Sequence, residues 1–440
     1  MKKIFDYTLL ALSKPVLVLF IGMALLSELW AHRTTANQPA YYFNDTIKFI
    51  SYTGKVVDKT TSKPIVFAVV QLVGTNIGTV TNADGDFLIK IPEHKLKEQL
   101  SVTHIGYKTS HVDLSDIKRK KITVFLELAS FPIEEVTVRS GDPIDLLYAA
   151  MRKRSANYST DPVMLTSFYR ETIKQNKNYV AVAEAVIDIY KAPYLAATDL
   201  DRSKIFKGRK SQDVKKMDTI VFKLQGGPYS ALMLDVIKNP GEILSFEFFE
   251  FYDYKLSGIS YINDRQAYVI DFKQKPQVRE PLYEGKIFLD AENLAVTGID
   301  FNLSADKIDQ ASRMLVRKKP ATMNIDILGA NYLTKYREIN GKWYLAYVRS
   351  EVTFKCKWKK KLFSSTYTTM TEMAVTDMEK DNINKFKMKE SAKYSDVLAE
   401  QVNQFQDPDY WGDYNIIKPD ESIEAAIEKL NRRLKRQMRP

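Results

Sequence analysis

Histidine and cysteine are scarce in this chain of 440 residues. It contains four histidines and a single cysteine, namely His32, His94, His104, His111 and Cys356. Because no histidine follows His111, the larger C-terminal part of the chain cannot use Ser–His or Cys–His nucleophilic catalysis, and it cannot hold a histidine-ligated zinc ion. The single cysteine excludes a disulfide within the chain, so a bond to a second chain or a reactive thiol is the remaining role for Cys356.

The sequence also lacks a glycine-rich phosphate loop and a dinucleotide-binding fingerprint. Carboxylates are plentiful, and a hydrolase that uses two of them needs no histidine. Candidates for such a pair are Glu247, Glu250, Asp271 and Asp300. Their pattern is that of ordinary solvated strand residues, so we predict no catalytic residue, no metal ion and no cofactor.

Aromatic and basic residues are abundant instead. The 25 tyrosines and 22 phenylalanines favour strands over helices. A chain of 440 residues is too long for one ordinary core, which predicts two folded domains with flanking segments. The formal charge of +11 is spread along the chain and favours contact with acidic surfaces such as anionic lipid.

The N-terminus has the pattern of a secretion signal. Lys2, Lys3 and Lys14 precede the apolar run Val16–Leu26, and a polar stretch with small residues follows. The run is short for a spanning helix, and an uncleaved anchor is the alternative interpretation. No cysteine closely follows the run, which argues against lipid attachment at an N-terminal cysteine. We therefore expect residues 1–36 to direct export to the periplasm or the outer membrane.

The stretch from Gly54 to Tyr107 alternates apolar and polar residues between turn-forming clusters such as Asn-Ala-Asp-Gly. This pattern predicts a small antiparallel β-sandwich. The stretch resembles the carboxypeptidase regulatory-like, or transthyretin-like, domain of Bacteroidetes-type proteins. The residues that carry the resemblance are Gly54, Pro64, Val69, Gly74, Gly78, Thr81, Asp84, Gly85, Phe87, Leu100, Gly106 and Tyr107.

The resemblance implies a fold rather than an activity, because this domain is an accessory module in the proteins that carry it. His94 lacks the glutamate spacing of a zinc peptidase and has no later histidine partner within the larger domain. His104 and His111 are expected on the surface or at the edge of the sandwich. We therefore predict no peptidase activity.

One turn in the sandwich imitates a calcium-binding loop. Asn82, Asp84 and Asp86 are spaced by two residues, as calcium ligands often are. However, Gly85 comes two positions too early for an EF-hand, and no glutamate closes the loop. An Asp-Gly hairpin turn is the preferred interpretation.

A linker strand is expected at Phe131–Arg139, followed by a helix that Asp142 caps and that ends near Asn157. A long series of strands begins at about Phe168 and predicts a larger antiparallel sheet. The turns that join the two strands of its clearest hairpins are Asn263-Asp264, Ala291–Asn293 and Asn340-Gly341.

Three segments in this series need separate interpretation. Lys204–Lys216 is polar and basic and is predicted to be a loop. Phe246–Tyr254 (FEFFEFYDY) fits a helix or a strand, and it either packs in the core or lines an apolar ligand cavity. Phe354–Lys361 (FKCKWKKK) places lysines on one strand face, as in a solvated edge strand. Binding of lipid phosphates or of an acidic glycan is the functional alternative for these lysines, and nucleic acid is not expected.

The segment Tyr261–Phe301 resembles the repeated strand pair of half-barrel lipoprotein carriers of the LolA type. In that family a curved antiparallel sheet wraps an apolar cavity that helices close. The resemblance implies either the handling of acyl chains or lipoproteins, or the shared fold alone.

The C-terminal tail is predicted to dock on the sheet through Tyr410 and Trp411. Asp420 should cap a final helix, whose basic end is favourable for the helix dipole. Its apolar stripe is expected to pack on the sheet, with contact between its basic end and an anionic membrane as the alternative. The stripe consists of Ile423, Ile427, Leu430 and Leu434.

Together these patterns predict a mainly β protein, with a transthyretin-like or Ig-like sandwich, a larger half-barrel-like antiparallel sheet, a few helices and a C-terminal helix. The expected segments are 1–36 (signal and lead-in), 47–130 (sandwich), 131–165 (linker strand and helix), 166–390 (β domain) and 391–440 (tail). We predict a non-enzymatic envelope protein whose larger β domain binds a lipid, a lipoprotein or another protein ligand. The alternatives are an adaptor whose sandwich recognises an outer-membrane partner, and a two-carboxylate hydrolase.

Overall fold

The structure is a computed structural model, and it describes residues 48–115, 121–129, 142–212, 226–310, 322–359, 362–404 and 410–437. The predicted signal segment (1–36) and the predicted linker strand Phe131–Arg139 lie outside these residues. The described fold is mainly β, with two small sheets, one large antiparallel sheet and a few helices, as the sequence predicts.

The N-terminal strands form a sandwich of a three-stranded sheet and a four-stranded sheet. Their orders are β4-β1-β7 and β3-β2-β5-β6. The strands are β1 (Phe49–Asp58), β2 (Val69–Leu72), β3 (Gly78–Val80), β4 (Asp86–Pro92), β5 (Gln99–Thr103), β6 (Ser110–Asp113) and β7 (Lys121–Leu126).

One pairing in this sandwich departs from the predicted antiparallel pattern, because β1 and β7 run parallel. Alternate residues of the facing strands, such as Val56, Phe87 and Val124, are buried in a common core. Gly54 fills a narrow space, since a Cβ atom built there would lie 2.2 Å from the Phe87 ring. The characteristic glycine at this position therefore allows the Phe87 ring to cross β1.

The predicted connector helix is present but has a break. Asp142 accepts a hydrogen bond from the Ile144 amide at 3.0 Å and caps α1 (Pro143–Arg152). Lys153 interrupts the helix before α2 (Arg154–Asn157).

The large sheet has eleven strands in the order β11-β12-β13-β14-β15-β16-β17-β8-β9-β10-β18. All neighbours pair antiparallel except the two-residue edge strand β18. The strands are β8 (Val163–Gln175), β9 (Asn178–Lys191), β10 (Arg202–Gln212), β11 (Tyr252–Ile262), β12 (Arg265–Gln274), β13 (Tyr283–Asp290), β14 (Val296–Leu303), β15 (Met323–Ile339), β16 (Lys342–Trp358), β17 (Ser365–Glu379) and β18 (Asn403–Gln404).

The predicted hairpin turns have the backbone conformation that their residues favour. Asn263 and Asp264 have φ angles of 49° and 58°, and Asn340 and Gly341 have φ angles of 52° and 77°. Two consecutive positive φ angles define the type I′ turn, which matches the twist of the flanking strands.

Two sequence-based predictions about the sheet are wrong. Lys204–Lys216 is not a loop over its described part, because residues up to Gln212 form β10, which pairs with β9. The strand that contains Phe354–Lys361 is not an edge strand either. Most of that segment lies in β16, between β15 and β17. In both cases pairing with the neighbouring strands determines the structure, and lysine content does not reveal that pairing.

One face of the large sheet, here called the inner face, is covered by helices. They are α1, α2, α3 (Gly227–Met233), α4 (Gly241–Leu244) and the 3₁₀ segment Phe246–Phe251. Leu147, Ile243 and Phe249 pack there on strand residues such as Ile287 and Trp343. Core packing is therefore the role of Phe249 in the aromatic block.

The opposite face, here called the outer face, carries the sandwich and the C-terminal tail. Phe168 and Tyr347 of the sheet contact Trp411 and Ile417 of the tail and Val80 of the sandwich in one buried cluster. The docking role predicted for Trp411 is confirmed by this cluster. Before the tail, α5 (Leu398–Gln401) packs on β10.

The final helix α6 (Glu421–Gln437) lies on the sheet as predicted. Asp420 accepts a hydrogen bond from the Ile423 amide at 2.7 Å and caps the helix. Ile423, Ile427 and Leu430 are buried against Val182 and other sheet residues. These three residues of the predicted stripe therefore pack within the fold, and the side chain of the fourth, Leu434, lies outside the described residues.

Candidate functional site: the cleft between the sandwich and the sheet

The C-terminal tail joins the sandwich to the outer face of the sheet. Thr79 donates to the Ile416 carbonyl at 2.9 Å, and the Asn82 side chain donates to the Pro419 carbonyl at 3.0 Å. The Asp84 carboxylate accepts from the Glu421 amide at 2.7 Å. The Asn-Ala-Asp-Gly segment is a turn, but the predicted hairpin is wrong, because the turn joins β3 and β4, which belong to different sheets. Its polar groups hold the start of α6.

Direct contacts also join the sandwich to the sheet. Arg337 of β15 donates to the Asn76 carbonyl at 2.9 Å, and the Asn76 side chain donates to the Met378 carbonyl at 2.6 Å. Asp264, in the β11–β12 turn, accepts from the Thr109 amide at 2.9 Å. The sandwich is therefore fixed at several separated points.

A cleft of about 480 Å³ remains between these points, and we call it the sandwich–sheet cleft. Its volume lies within the range of small-molecule sites. A second cavity of about 240 Å³ shares three of its lining residues, His104, Ile105 and Lys335. The cleft is lined by Val66, Phe67, His104 and Ile105 of the sandwich and by Phe288, Asp300, Asn331, Tyr332, Leu333, Lys335, Arg349 and Glu351 of the sheet.

Phe67 has a strained backbone at the wall of this cleft. Its φ angle is 57°, in the left-handed region that bulky residues seldom occupy. The Phe67 ring stacks on Tyr347 with centroids 5.4 Å apart, and the Arg349 guanidinium lies 5.2 Å from the ring centroid. Such strain persists where surrounding contacts hold it, and it is frequent at binding sites.

Lys335 supplies a buried positive charge to the cleft. Its side chain is only 7% exposed, and its ammonium group donates to the Phe67 carbonyl at 2.7 Å. Burial lowers the pKa of Lys335 to about 8, although the Asp300 carboxylate opposes this shift. Perturbed groups of this kind that lie in a cleft are typical of functional sites, because a ligand can compensate the buried charge.

His104 lies beside Lys335, directly after the end of β5, and is partly buried and not fully on the surface. The ring Nδ1 atom lies 2.9 Å from the Ile105 carbonyl oxygen. Burial, and then the nearby Lys335, lower the pKa of His104 to about 3. A neutral imidazole therefore faces the cleft at neutral pH. His111 is exposed on β6, in agreement with its predicted place, and also lines the smaller cavity.

A network of buried charges continues from the cleft beneath the tail. Arg170 contacts Glu184 and Glu372, each at 2.8 Å, and Arg209 contacts Glu184 at 3.0 Å. Arg170 also donates to the Ile417 carbonyl at 2.6 Å. Glu184 lies on β9 between Ala183 and Ala185, which pack in the core of the inner face, so its side chain lies on the opposite face. The sequence alone does not show that the tail buries this polar face.

The carboxylates considered for a hydrolase do not form a pair. Glu247 and Glu250 are exposed on the 3₁₀ segment before β11. Asp271 and Asp300 lie on β12 and β14, and Lys286 of β13 pairs with both positions. Lys286 contacts Asp271 at 2.6 Å, so a cation separates two strands that are about 10 Å apart. Only Asp300 reaches the sandwich–sheet cleft.

Cys356 is fully buried beside Ile325 and Tyr367. Burial raises the pKa of its thiol to about 12. Thiolates are the reactive form of cysteine, so the fold does not suit a reactive thiol or an intermolecular disulfide at this position.

Residues 52–138 match the CarboxypepD_reg-like domain. The predicted regulatory-like domain is thereby confirmed over the sandwich. A search of curated proteins finds no match to this chain. In the part of the chain that the structure describes, no helix combines the length and the apolar character needed to cross a membrane.

Solved structures with low similarity to this chain include the following three. A LolA superfamily protein from Nitrosomonas europaea is 12% identical, with 56% of this chain and 99% of that chain covered and a TM-score of 0.19. A DUF1329 family protein from Desulfovibrio piger is 10% identical, with 56% of this chain and 96% of that chain covered and a TM-score of 0.23. A lipovitellin structure concerned with lipid–protein interactions is 9% identical, with 58% of this chain and 29% of that chain covered and a TM-score of 0.25.

Proposed function

We propose that this protein is a non-enzymatic binding protein of the cell envelope, and that its ligand is an amphipathic acid such as a lipid with an acidic head group. The proposal rests on the buried ammonium group of Lys335 in a cleft of about 480 Å³ with an apolar wall. Export is proposed from the signal-like run Val16–Leu26.

The lining of the cleft has two chemical parts. Ile105, Phe288 and Leu333 provide an apolar wall, and Lys335 provides a cation beside them. Arg349 is paired with Glu351 at 2.7 Å, so Lys335 is the better partner for an acidic group. A hydrogen bond to a charged group contributes about 1.5–3 kcal/mol, which corresponds to roughly tenfold or more in affinity.

This proposal changes the location of the expected ligand site. The sequence-based prediction places the ligand in an apolar concavity of the larger sheet. On the inner face, Phe249 of the 3₁₀ segment packs with strand residues such as Trp343, so side chains fill the space there. The cleft on the outer face offers a better site, because it combines space with a buried cation that the Asp300 carboxylate balances only in part.

A pair of matched probes tests the proposal. An anthroyloxy-labelled fatty acid and its methyl ester would be titrated into wild-type protein, Lys335→Met and the control Lys273→Met. Lys273 lies on the same sheet with a 64% exposed side chain. We expect the acid to bind at least tenfold more tightly than the ester, and this preference to be lost only in Lys335→Met.

Native mass spectrometry of protein purified from its own envelope gives an independent test. A copurifying lipid whose retention is reduced in Lys335→Met agrees with the proposal. Absence of any lipid, together with equal binding of acid and ester to the wild type, contradicts it. Unfolding midpoints of the variants distinguish a lost ligand from a lost fold.

The adaptor alternative requires a different experiment from simple removal of the sandwich. Deleting Ile47–Leu128 would expose Phe168 and Tyr347, which the sandwich and tail cover. Substitution of the exposed Phe125, on the surface of β7, leaves that interface intact. Loss of an envelope partner in Phe125→Ser, with unchanged probe binding, favours the adaptor.

A further inference from the structure

The hairpin that joins β16 and β17 presents two large apolar side chains at its tip. Leu362 is 91% exposed and Phe363 is 82% exposed. No other large hydrophobic residue in the described part of the chain is as exposed as either of them. Their exposure costs stability in water, which makes this tip a candidate contact surface.

Lysines surround this tip. Residues 172–180, 322–328, 353–359 and 362–368, which form this end of the sheet, contain five lysines and one carboxylate, Asp326. The strand alternation places Lys355 and Lys357 on one exposed face of β16, while Cys356 between them is buried. Lys359 directly follows the strand and is also exposed. The lysines of this group are Lys174, Lys177, Lys355, Lys357 and Lys359. We call these lysines together with Leu362 and Phe363 the basic tip.

Hydrogen bonds hold the base of the basic tip in place. Asn176, in the neighbouring β8–β9 turn, donates from its amide to the Thr366 carbonyl at 2.6 Å. The Asn176 side chain accepts from the Thr366 amide at 3.0 Å. Lys177 is therefore carried on a turn that is attached to the same hairpin as Leu362 and Phe363.

We propose that the basic tip docks the protein on an anionic bilayer surface. Lysines near such a surface each contribute about 1 kcal/mol, or about fivefold in binding, and exposed apolar side chains enter the boundary between head groups and acyl chains. Two apolar side chains form too small a patch for a stable protein interface. This proposal is independent of the ligand proposed for the sandwich–sheet cleft.

The structure favours the hairpin over the final helix as the membrane contact. Ile423, Ile427 and Leu430 of the α6 stripe are buried against Val182 and Met370 of the sheet. The hairpin tip offers its apolar side chains without any change in the fold. The excess of positively charged lysines at this end of the sheet also complements the negative charge of an acidic lipid surface.

Vesicle flotation tests the proposal with the full chain. Vesicles of phosphatidylcholine alone would be compared with vesicles that also contain phosphatidylglycerol. We expect binding to the anionic vesicles only, with a strong decrease at high salt. Lys355→Gln/Lys357→Gln/Lys359→Gln should weaken binding by at least about tenfold, and Leu362→Ser/Phe363→Ser by a similar factor.

The control is Lys121→Gln/Lys273→Gln, which removes exposed lysines on other strands and should bind as the wild type does. Equal binding of the wild type and both tip variants overturns the proposal, as does equal binding to neutral vesicles. Self-association that the Leu362→Ser/Phe363→Ser variant abolishes, without any vesicle binding, would assign the tip to contact with a second copy. Each variant changes surface residues, so an unaltered unfolding midpoint is expected.

Discussion

The ammonium group of Lys335 donates a hydrogen bond to the carbonyl of Phe67 at 2.7 Å, and so joins β15 to the sandwich through a buried charge. The acceptor belongs to a residue with a φ angle of 57°. A buried cation, which the Asp300 carboxylate balances only in part, thus holds a strained backbone in place. The position of this pair in the sandwich–sheet cleft leads to a prediction about pH.

The stability of the protein should increase between about pH 8 and pH 10.5 because of Lys335, whose pKa is lowered to about 8 in the fold. In this range the unfolded chain binds the lysine proton more strongly than the folded protein does, so unfolding becomes less favourable as pH rises. The expected contribution is roughly 3 kcal/mol over the range. Urea unfolding of the wild type and of Lys335→Met, compared across the range, isolates this contribution. If the difference in the free energy of unfolding between the two proteins stays constant with pH, the prediction is contradicted.

Glu171 gives the opposite dependence. It is buried in β8, and burial raises its pKa to about 8 although the Tyr169 hydroxyl donates to it at 3.2 Å. Between about pH 4.5 and pH 8 the folded protein retains a proton that the unfolded chain releases, so stability decreases as pH rises. Glu171→Gln should therefore be more stable than the wild type at neutral pH by roughly 3 kcal/mol, and similar to it below pH 4.5. Urea unfolding midpoints of both proteins at the two pH values test this prediction. An equal gain in stability of Glu171→Gln at both pH values would contradict the raised pKa of Glu171.

Arg170 should be essential for stability. Its removal leaves Glu184 and Glu372 with fewer partners in a buried region. We expect Arg170→Met to lower the free energy of unfolding by about 3–5 kcal/mol. The control is Arg432→Met, since the Arg432 side chain is 71% exposed and lies 3.9 Å from Glu428. Arg432→Met should change the free energy of unfolding by no more than about 0.5 kcal/mol. Similar losses in both variants would show that the buried network has no special role.

Cys356 should resist thiol reagents in the native protein. It is fully buried, and its pKa is raised to about 12. Labelling with a chromogenic disulfide should therefore be complete only after denaturation in urea. Rapid stoichiometric labelling without denaturant would mean that this part of β16 opens readily.

The sequence predicts most local features of the fold because short-range chemistry determines them. Asn340-Gly341 specifies a two-residue turn, and Asp142 and Asp420 cap the helices that they precede. The resemblance around Gly54 correctly identifies the sandwich. Each of these features depends on residues that are close together in the chain.

The candidate site is different, because distant segments create it. Phe67 and Lys335 are 268 residues apart in the sequence, and His104 comes from a third segment. The sequence predicts a loop in place of β10, because lysines are common in loops. The pairing of β10 with β9 depends on both strands, and the sequence of β10 alone does not specify it. Burial of the outer face of the sheet depends on the tail that covers it.

The attachment of the sandwich by the tail has a consequence for the order of folding. Thr79 is bonded to Ile416 and Asp84 to Glu421, and both pairs are separated by 337 residues. A chain made from its N-terminus can complete the sandwich early, but it cannot complete these bonds until almost all of its residues have emerged. Such long separations slow assembly. The described fold is therefore complete only after the residues of the tail have been synthesised.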